Sequence, residues 1–316
     1  MGATLIFGAS GFLGAHVVAS AVSRARSSAT FAEPFGEGVV AVSRDPERAP
    51  RFCDPRDAAE WVVADLIPPG SATAVLDQVQ PARVICCAAL ARAADCRERP
   101  AEARRLNSEL PAEIATWCAA RAVRFVHIST DLVFGRLEAP EGGFTETSEA
   151  APVMDYGHTK LAGERGVLEA FPAALVVRLP LLYGNSGGRG VGASDSLLEA
   201  VDRGERPSLF VDEWRTPLEV SNAAEALVEL VHMAESGLLH VAGPDRSSRH
   251  ELGLAVLVAA GLERDQAQAE VHGVPMAEVS CATERPRDVS LAAGRARRLL
   301  ATELAGVSSG TRRAMS

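Results

Sequence analysis

One short segment restricts the fold of this chain more than any other. The apolar run Thr4–Phe7 leads directly into Gly8-Ala9-Ser10-Gly11-Phe12-Leu13-Gly14, and an apolar helical pattern starts at Phe12. A strand that turns on glycine into a helix is the first half of a βαβ unit. Glycine at 8, 11 and 14 permits a tight turn, close approach of a pyrophosphate, and close packing of the helix on the strand. The free N–H groups of the first helical turn, with the helix dipole behind them, favour an anion at that point. The spacing here is G-x-x-G-x-x-G, not G-x-G-x-x-G.

The same rhythm continues along the first half. Strands are expected at Val39–Val42, Trp61–Ala64, Arg83–Cys87, Arg124–Ile128 and Ala174–Arg178, and helices at Phe12–Arg24, Ser71–Val79, Pro100–Arg121 and Tyr156–Phe171. Strands that alternate with helices predict an α/β fold, a doubly wound parallel (Rossmann) sheet with right-handed crossovers. Arg26–Gly38 reads as a long surface loop, and Asn185–Gly192 as a glycine-rich loop at the carboxyl edge of the sheet. Beyond it come helix Asp195–Arg203, strand Ser208–Val211, helix Asn222–Glu235, strand Leu238–Val241 and helix Arg249–Gly261. That shift predicts a smaller α+β substrate domain. Residues 1–180 form the cofactor domain, with 220–242 returning to it, and 181–219 and 243–316 form the smaller one, its tail fraying after Leu304.

Composition narrows the partners. A net charge of −9 argues against a general nucleic-acid or anionic-membrane binder. No apolar run reaches membrane-spanning length, the apolar start lacks a basic segment before it, and Ile6 stands where a myristoylation signal wants Ser or Thr. The six cysteines, at 53, 86, 87, 96, 118 and 281, form no CxxC pair and no metal-type spacing, so a reduced, cytoplasmic setting without a metal is expected. Of the 32 basic residues only Lys160 is lysine, and it lies four positions after Tyr156, one of two tyrosines. A composition this averse to lysine retains one where a compact ammonium is needed.

The Tyr156–Lys160 spacing puts both side chains on one helix face. Reduction of a ketone needs a proton donor for the developing alkoxide, and a phenol with a pKa near 10 serves only if a cation favours its phenolate. Lys160 supplies that charge and can hold a ribose hydroxyl, while Thr130, in the strand-end run Ser129-Thr130-Asp131-Leu132-Val133-Phe134-Gly135, orients the carbonyl oxygen. At the end of the second strand, Ser43-Arg44 suits the 2′-phosphate of NADP, with NAD(H) as the other coenzyme. Asp65-Leu66 is placed to contact adenine, and Asp65 equally to cap a helix. Ala88 and Ala89 let backbone approach the middle of the cofactor beside Cys86 and Cys87. Asn107 reads either as a bridge to the active site or as a helix-surface amide.

With Gly8–Gly14, Thr130, Tyr156 and Lys160, the chain resembles an extended short-chain dehydrogenase/reductase over nearly its whole length. Tyr156-Gly157-His158-Thr159-Lys160-Leu161-Ala162-Gly163-Glu164, His240-Val241-Ala242-Gly243 and Arg285-Pro286-Arg287-Asp288-Val289-Ser290-Leu291, together with the Ser129–Phe134 run, resemble the dTDP-4-dehydrorhamnose reductase branch. The resemblance implies NADPH- or NADH-dependent reduction of the 4-keto group of a nucleotide-linked 6-deoxysugar. It implies cofactor contacts by Gly8, Ser10, Gly11, Phe12, Leu13, Gly14, Ser43, Arg44, Asp65, Leu66, Ala88, Ala89, Tyr156, Lys160 and Pro180. Substrate contacts fall to Asp131, Val133, Arg215 and Arg287, with Trp214 as a stacking surface, and a homodimer is the oligomer considered. The chain departs from the branch at Leu132, usually Tyr, and at Leu181, usually Trp, which leaves the sugar undefined. Leu132 after Asp131 also removes the second carboxylate that a 4,6-dehydratase requires. A nucleotide-sugar epimerase and an NADP-binding regulatory subunit resembling the methionine adenosyltransferase β subunit share much of this pattern and are the alternatives.

Overall fold

The structure, a computed structural model, describes residues 2–28, 38–50, 52, 59–279 and 285–315. Thr4–Phe7 (β1) turns through Gly8 into α1, Phe12–Ser28. Val39–Ser43 (β2), Ala59–Val63 (β3), Arg83–Cys86 (β4), Arg124–Thr130 (β5), Leu175–Leu179 (β6) and the strand Gly237–His240 complete a parallel seven-stranded sheet. Its order is Gly237–His240, β6, β5, β4, β1, β2, β3. Leu5 of β1 pairs with Val40 of β2 on one side and Val84 of β4 on the other. The strand order therefore reverses at β1, the point where open α/β sheets leave a crevice at their carboxyl ends.

β1 and β2 are buried at every residue, which their unbroken apolar sequences require of strands covered on both faces. β3, at the edge, leaves Val63 69 % exposed. It starts at Ala59, two residues earlier than its apolar pattern predicts, because its register with β2 pairs Ala59 with Val39. Helices Ser71–Val79 (α2), Ala93–Glu98 (α3), Pro100–Arg104 (α4), Leu110–Arg121 (α5) and Asp155–Ala170 (α6) follow their strands. The single helix expected over Pro100–Arg121 is split by a π-helical turn at Arg105–Glu109.

The chain groups into two compact units, one holding Met1–Ser129, Asp155–Arg178 and Ala224–Leu239, the other Thr130–Met154, Leu179–Ala223 and His240–Ser316. The core of the first packs Leu5, Phe7, Val42, Val84, Phe125 and Ile114 between sheet and helices. In the second, Leu197, Leu252, Val256, Leu257 and Tyr183 form a smaller core. Its helix Arg249–Ala259 opens on a capping box between Ser248 and Glu251.

The expected frayed tail is a helix, Val307–Met315. Val307 and Thr311 are buried along one side, Val307 N donates to Asp245 Oδ2 at 2.8 Å, and Ala305 N donates to Asn222 Oδ1 at 2.8 Å. These contacts tie down a terminal segment that was expected to fray. The loop expected at Arg26–Gly38 is helical as far as Ser28, and 29–37 lies outside the described residues, as do Cys53 and Cys281.

Candidate active site

A cleft opens in the first unit at the carboxyl ends of β1, β2, β3 and β4. Gly8, Ser10 and Gly11 form its floor, and Ala88 and Ala89 its far wall. Gly8 has φ +76°, and a Cβ there would lie 2.6 Å from Ala88 N, so only glycine permits this turn. A Cβ at Gly14 would strike the Gly8 carbonyl, which makes Gly14 a packing glycine behind the cleft. Phe12 and Leu13 likewise start α1 without lining the cleft.

Polar groups gather where β2 ends. Ser10 Oγ and Ser43 Oγ are 2.6 Å apart, and Ser43 Oγ also accepts the Asp45 N–H at 3.1 Å. Arg44 and Arg48 line the same corner. Arg48 sits on the short turn Pro46–Arg48, four residues after Arg44, and sequence reading missed it. Two hydroxyls and two guanidiniums at one point are donors suited to a phosphate on a ribose, and the cleft as a whole fits the adenosine half of a dinucleotide.

Asp65 does not cap a helix. Its Oδ1 accepts from Ile67 N at 3.1 Å, closing a turn beside the cleft, while α2 is entered through Gly70. The cap is supplied from α5, where Glu113 accepts from Gly70 N at 3.3 Å and Thr73 N at 3.1 Å. Arg105 bridges the two, donating to Ile67 O at 2.9 Å, Pro68 O at 3.2 Å and Glu113 Oε2 at 2.7 Å. The π turn that presents Arg105 also sends Leu106 into the cleft and buries Asn107 completely. Asn107 Oδ1 accepts from Leu90 N at 2.8 Å, and its Nδ2 donates to Leu90 O at 3.1 Å and Thr159 Oγ1 at 3.0 Å. It is therefore no surface amide: it ties the segment after β4 to α6.

α6 carries Tyr156, which packs against the core, and Lys160, which is 2 % exposed. Lys160 Nζ lies 3.3 Å from His127 Nε2 on β5. Burial pulls Lys160 down to about 8 and, together with the neighbouring ammonium, keeps His127 neutral, well below its ordinary value. With its proton on Nδ1, a neutral His127 accepts from the Lys160 ammonium at Nε2. Burial also pushes the Cys86 thiol up to about 11 and Cys87 higher still, and Glu164 is a carboxylate near Lys160. Glu164 takes Arg178 bidentately at 2.8 and 2.7 Å and Ser129 Oγ at 2.5 Å, with both charged side chains 3 % exposed.

The strand and helix periods explain the match. His127 and Ser129 are two residues apart on a strand, about 6.6 Å, and Lys160 and Glu164 four apart on a helix, about 6.0 Å. Each strand residue therefore meets its own helix partner. Alternation along Arg124–Thr130 was the available signal for His127, and it went unused.

In the second unit, Thr130 caps the turn Asp131–Val133, accepting Leu132 N at 3.1 Å and donating to Asp131 Oδ1 at 3.0 Å. Val133 is 0 % exposed and Pro180 is buried. Arg215 is only 5 % exposed, and its donors go to Glu213 at 2.9 Å, to Trp214 O at 2.6 Å and to the Pro286 carbonyl at 3.4 Å. It is committed to its own unit rather than extended toward solvent. Arg287 is open, its side chain 74 % exposed and 3.5 Å from Asp212. Trp214 has the Arg246 guanidinium over its ring at 4.0 Å, so one face expected to stack on substrate is already covered.

The RmlD substrate binding domain family model matches residues 2–315. The chain belongs to that family. Among curated relatives it is 31 % identical to the probable low-salt glycan biosynthesis reductase Agl14 of Haloferax volcanii, over 67 % of this chain and 70 % of that protein. It is 30 % identical to the dTDP-4-keto-6-deoxy-D-glucose reductase of Streptomyces niveus, over 69 % of this chain and 73 % of that one. The fold matches the dTDP-4-dehydrorhamnose reductase of Bacillus anthracis, solved in complex with NADP, with TM-score 0.77 at 20 % identity over 99 % of this chain and 98 % of that one. For a member of this family, the departures at Leu132 and Leu181 lie outside the Thr130, Tyr156 and Lys160 positions. Among the described residues no cluster of His, Cys, Asp and Glu could hold a metal ion, and no helix is long and apolar enough to cross a membrane.

Proposed function

We propose that this protein is an NADPH-dependent reductase of the 4-keto group of a nucleotide-linked 6-deoxysugar. The observation that carries the reading is a buried lysine, at 2 % exposure, one helical turn after Tyr156, in the same unit as a glycine-floored cleft. Ser10, Ser43, Arg44 and Arg48 would hold the 2′-phosphate, Asp65 and Leu66 the adenine, and Ala88 and Ala89 the middle of the coenzyme. The bound coenzyme supplies a hydride to the ketone carbon. Tyr156 gives its phenolic proton to the developing alkoxide, Lys160 favours the phenolate left behind, and Thr130 orients the carbonyl oxygen. His127 and Glu164 keep Lys160 in place.

The first unit is read as the coenzyme domain and the second as the sugar-nucleotide domain, where open Arg287 is a candidate for the substrate phosphates. The free thiols Cys86, Cys87, Cys96 and Cys118 suit a reducing, cytoplasmic setting. Substitution tests the central role. Tyr156→Phe is expected to lower turnover of a dTDP-4-keto-6-deoxyhexose by about 10²-fold or more while NADPH fluorescence titrations stay unchanged. Turnover equal to wild type would remove Tyr156 from the chemistry.

A further inference from the structure

A threonine hydroxyl has one proton to give and two lone pairs to offer. In Thr130 the proton goes to Asp131 Oδ1 at 3.0 Å, and one lone pair receives the Leu132 N–H at 3.1 Å. What remains is an acceptor. A ketone oxygen only accepts, so Thr130 cannot serve it while an ionised Asp131 keeps its proton.

Asp131 is 3 % exposed, and its second oxygen, Oδ2, is buried without a hydrogen-bond partner among the described residues. Arg215 is the nearest cation among the described residues, with Nε 3.6 Å from Oδ2, beyond hydrogen-bond reach. Its fork is turned instead to Glu213 Oε1 at 2.9 Å and to the Trp214 and Pro286 carbonyls. Arg285 also approaches Glu213, at 3.6 Å, rather than Asp131. Arg249, at the start of its helix, is the third guanidinium near these two carboxylates. Glu213 adds a like charge and has its own buried oxygen, Oε2, without a partner among the described residues. Burial outweighs the pull of Arg215, and the Asp131 carboxyl is raised to about 6.

We propose that Asp131 is a positioning residue that sets the direction of the Thr130 proton. When protonated, Asp131 donates to Thr130 Oγ, which still accepts Leu132 N–H and turns its own proton to the substrate's carbonyl oxygen. When ionised, Asp131 holds the Thr130 proton and the carbonyl oxygen loses one donor. Asp131 passes no proton to substrate, and the proton consumed by the reaction comes from Tyr156. The inference rests on the reductase reading for its effect on rate, but its hydrogen bond is measurable without substrate.

Two readouts test it. In carbon NMR of the protein without ligands, the Asp131 carboxyl is expected to titrate near pH 6. Thr130→Val removes a bond that favours the ionised form and is expected to move the midpoint upward. An unchanged midpoint overturns the proposal whether or not any sugar is reduced. In turnover, kcat/KM is expected to fall as pH rises through that midpoint, by about 10²-fold, to a non-zero plateau. In Asp131→Asn the amide donates permanently, so this limb should vanish and the rate at neutral pH should rise toward the acid value. A limb near pH 6 that persists in Asp131→Asn, as distinct from the fall above about pH 8 that Lys160 gives, belongs to another group and overturns the proposal. If Asp131→Asn fails to fold, Glu213→Gln serves: Arg215, released from Glu213, should hold Asp131 ionised and move the limb to lower pH. No movement overturns it equally.

Discussion

Lys160 occupies the one position in this chain where arginine does not stand in for lysine, and its surroundings give the reason. At 2 % exposure, with His127 Nε2 at 3.3 Å, Lys160 is a compact buried ammonium, which a planar guanidinium fork of different reach and geometry does not reproduce. Lys160→Arg is therefore expected to lower turnover by about 10²-fold, measured as initial NADPH oxidation. Near-wild-type rates would make the survival of this lysine accidental. The titration has a definite sign. Burial lowers the lysine to about 8, so the ammonium is present below that pH and lost above it. Turnover is expected to decline as pH rises past about 8, and His127→Ala, which takes away the facing lone pair, should move the decline. His127 itself was missed in the sequence, which singled out Thr130, Tyr156 and Lys160 because a ketone reduction needs those residue types.

At the level of elements, β5, β6 and α6 are joined by Ser129, Glu164 and Arg178, a buried ion pair completed by a hydroxyl. Removing one partner of such a pair leaves an uncompensated buried charge. Glu164→Ala is expected to cost about 3–5 kcal/mol in urea unfolding, whereas replacing both partners by apolar residues should cost less. Equal losses would mean that the pair acts only by filling space. This layer shows what was legible and what was not. Strands β1 and β2 could be read because both faces are covered and their sequences are almost continuously apolar. Local sequence carried no sign of the π turn at Arg105–Glu109, because an extra residue in a helical turn preserves composition and nearly preserves period. Arg105, Leu106 and the burial of Asn107 all depend on that turn. The tail helix Val307–Met315 was equally hidden, since it is held by Asp245 and Asn222, far away in sequence.

For the whole molecule, a net charge of −9 means that phosphate binding must come from local clusters of arginine. One such cluster, Arg44 and Arg48 beside Ser10 and Ser43, stands at the end of β2. Replacing both arginines by alanine is expected to raise KM for NADPH about tenfold or more and leave KM for NADH nearly unchanged, since each charge-assisted bond contributes about 1.5–3 kcal/mol. NADP⁺ at about 100 times its Kd should stabilise the protein by about 2.7 kcal/mol, seen as a rise in Tm that the double variant loses. The central claim is that one glycine-floored cleft and one Tyr156–Lys160 helix serve reduction of a nucleotide-linked keto sugar. Its most direct measurement is NADPH oxidation on addition of a dTDP-4-keto-6-deoxyhexose, with the product analysed for a new C4 hydroxyl. The account predicts one NADPH consumed per hydroxyl formed by the wild-type protein and product formation slower by about 10²-fold or more with Tyr156→Phe. Tight NADPH binding with no oxidation across a panel of nucleotide keto sugars would contradict it.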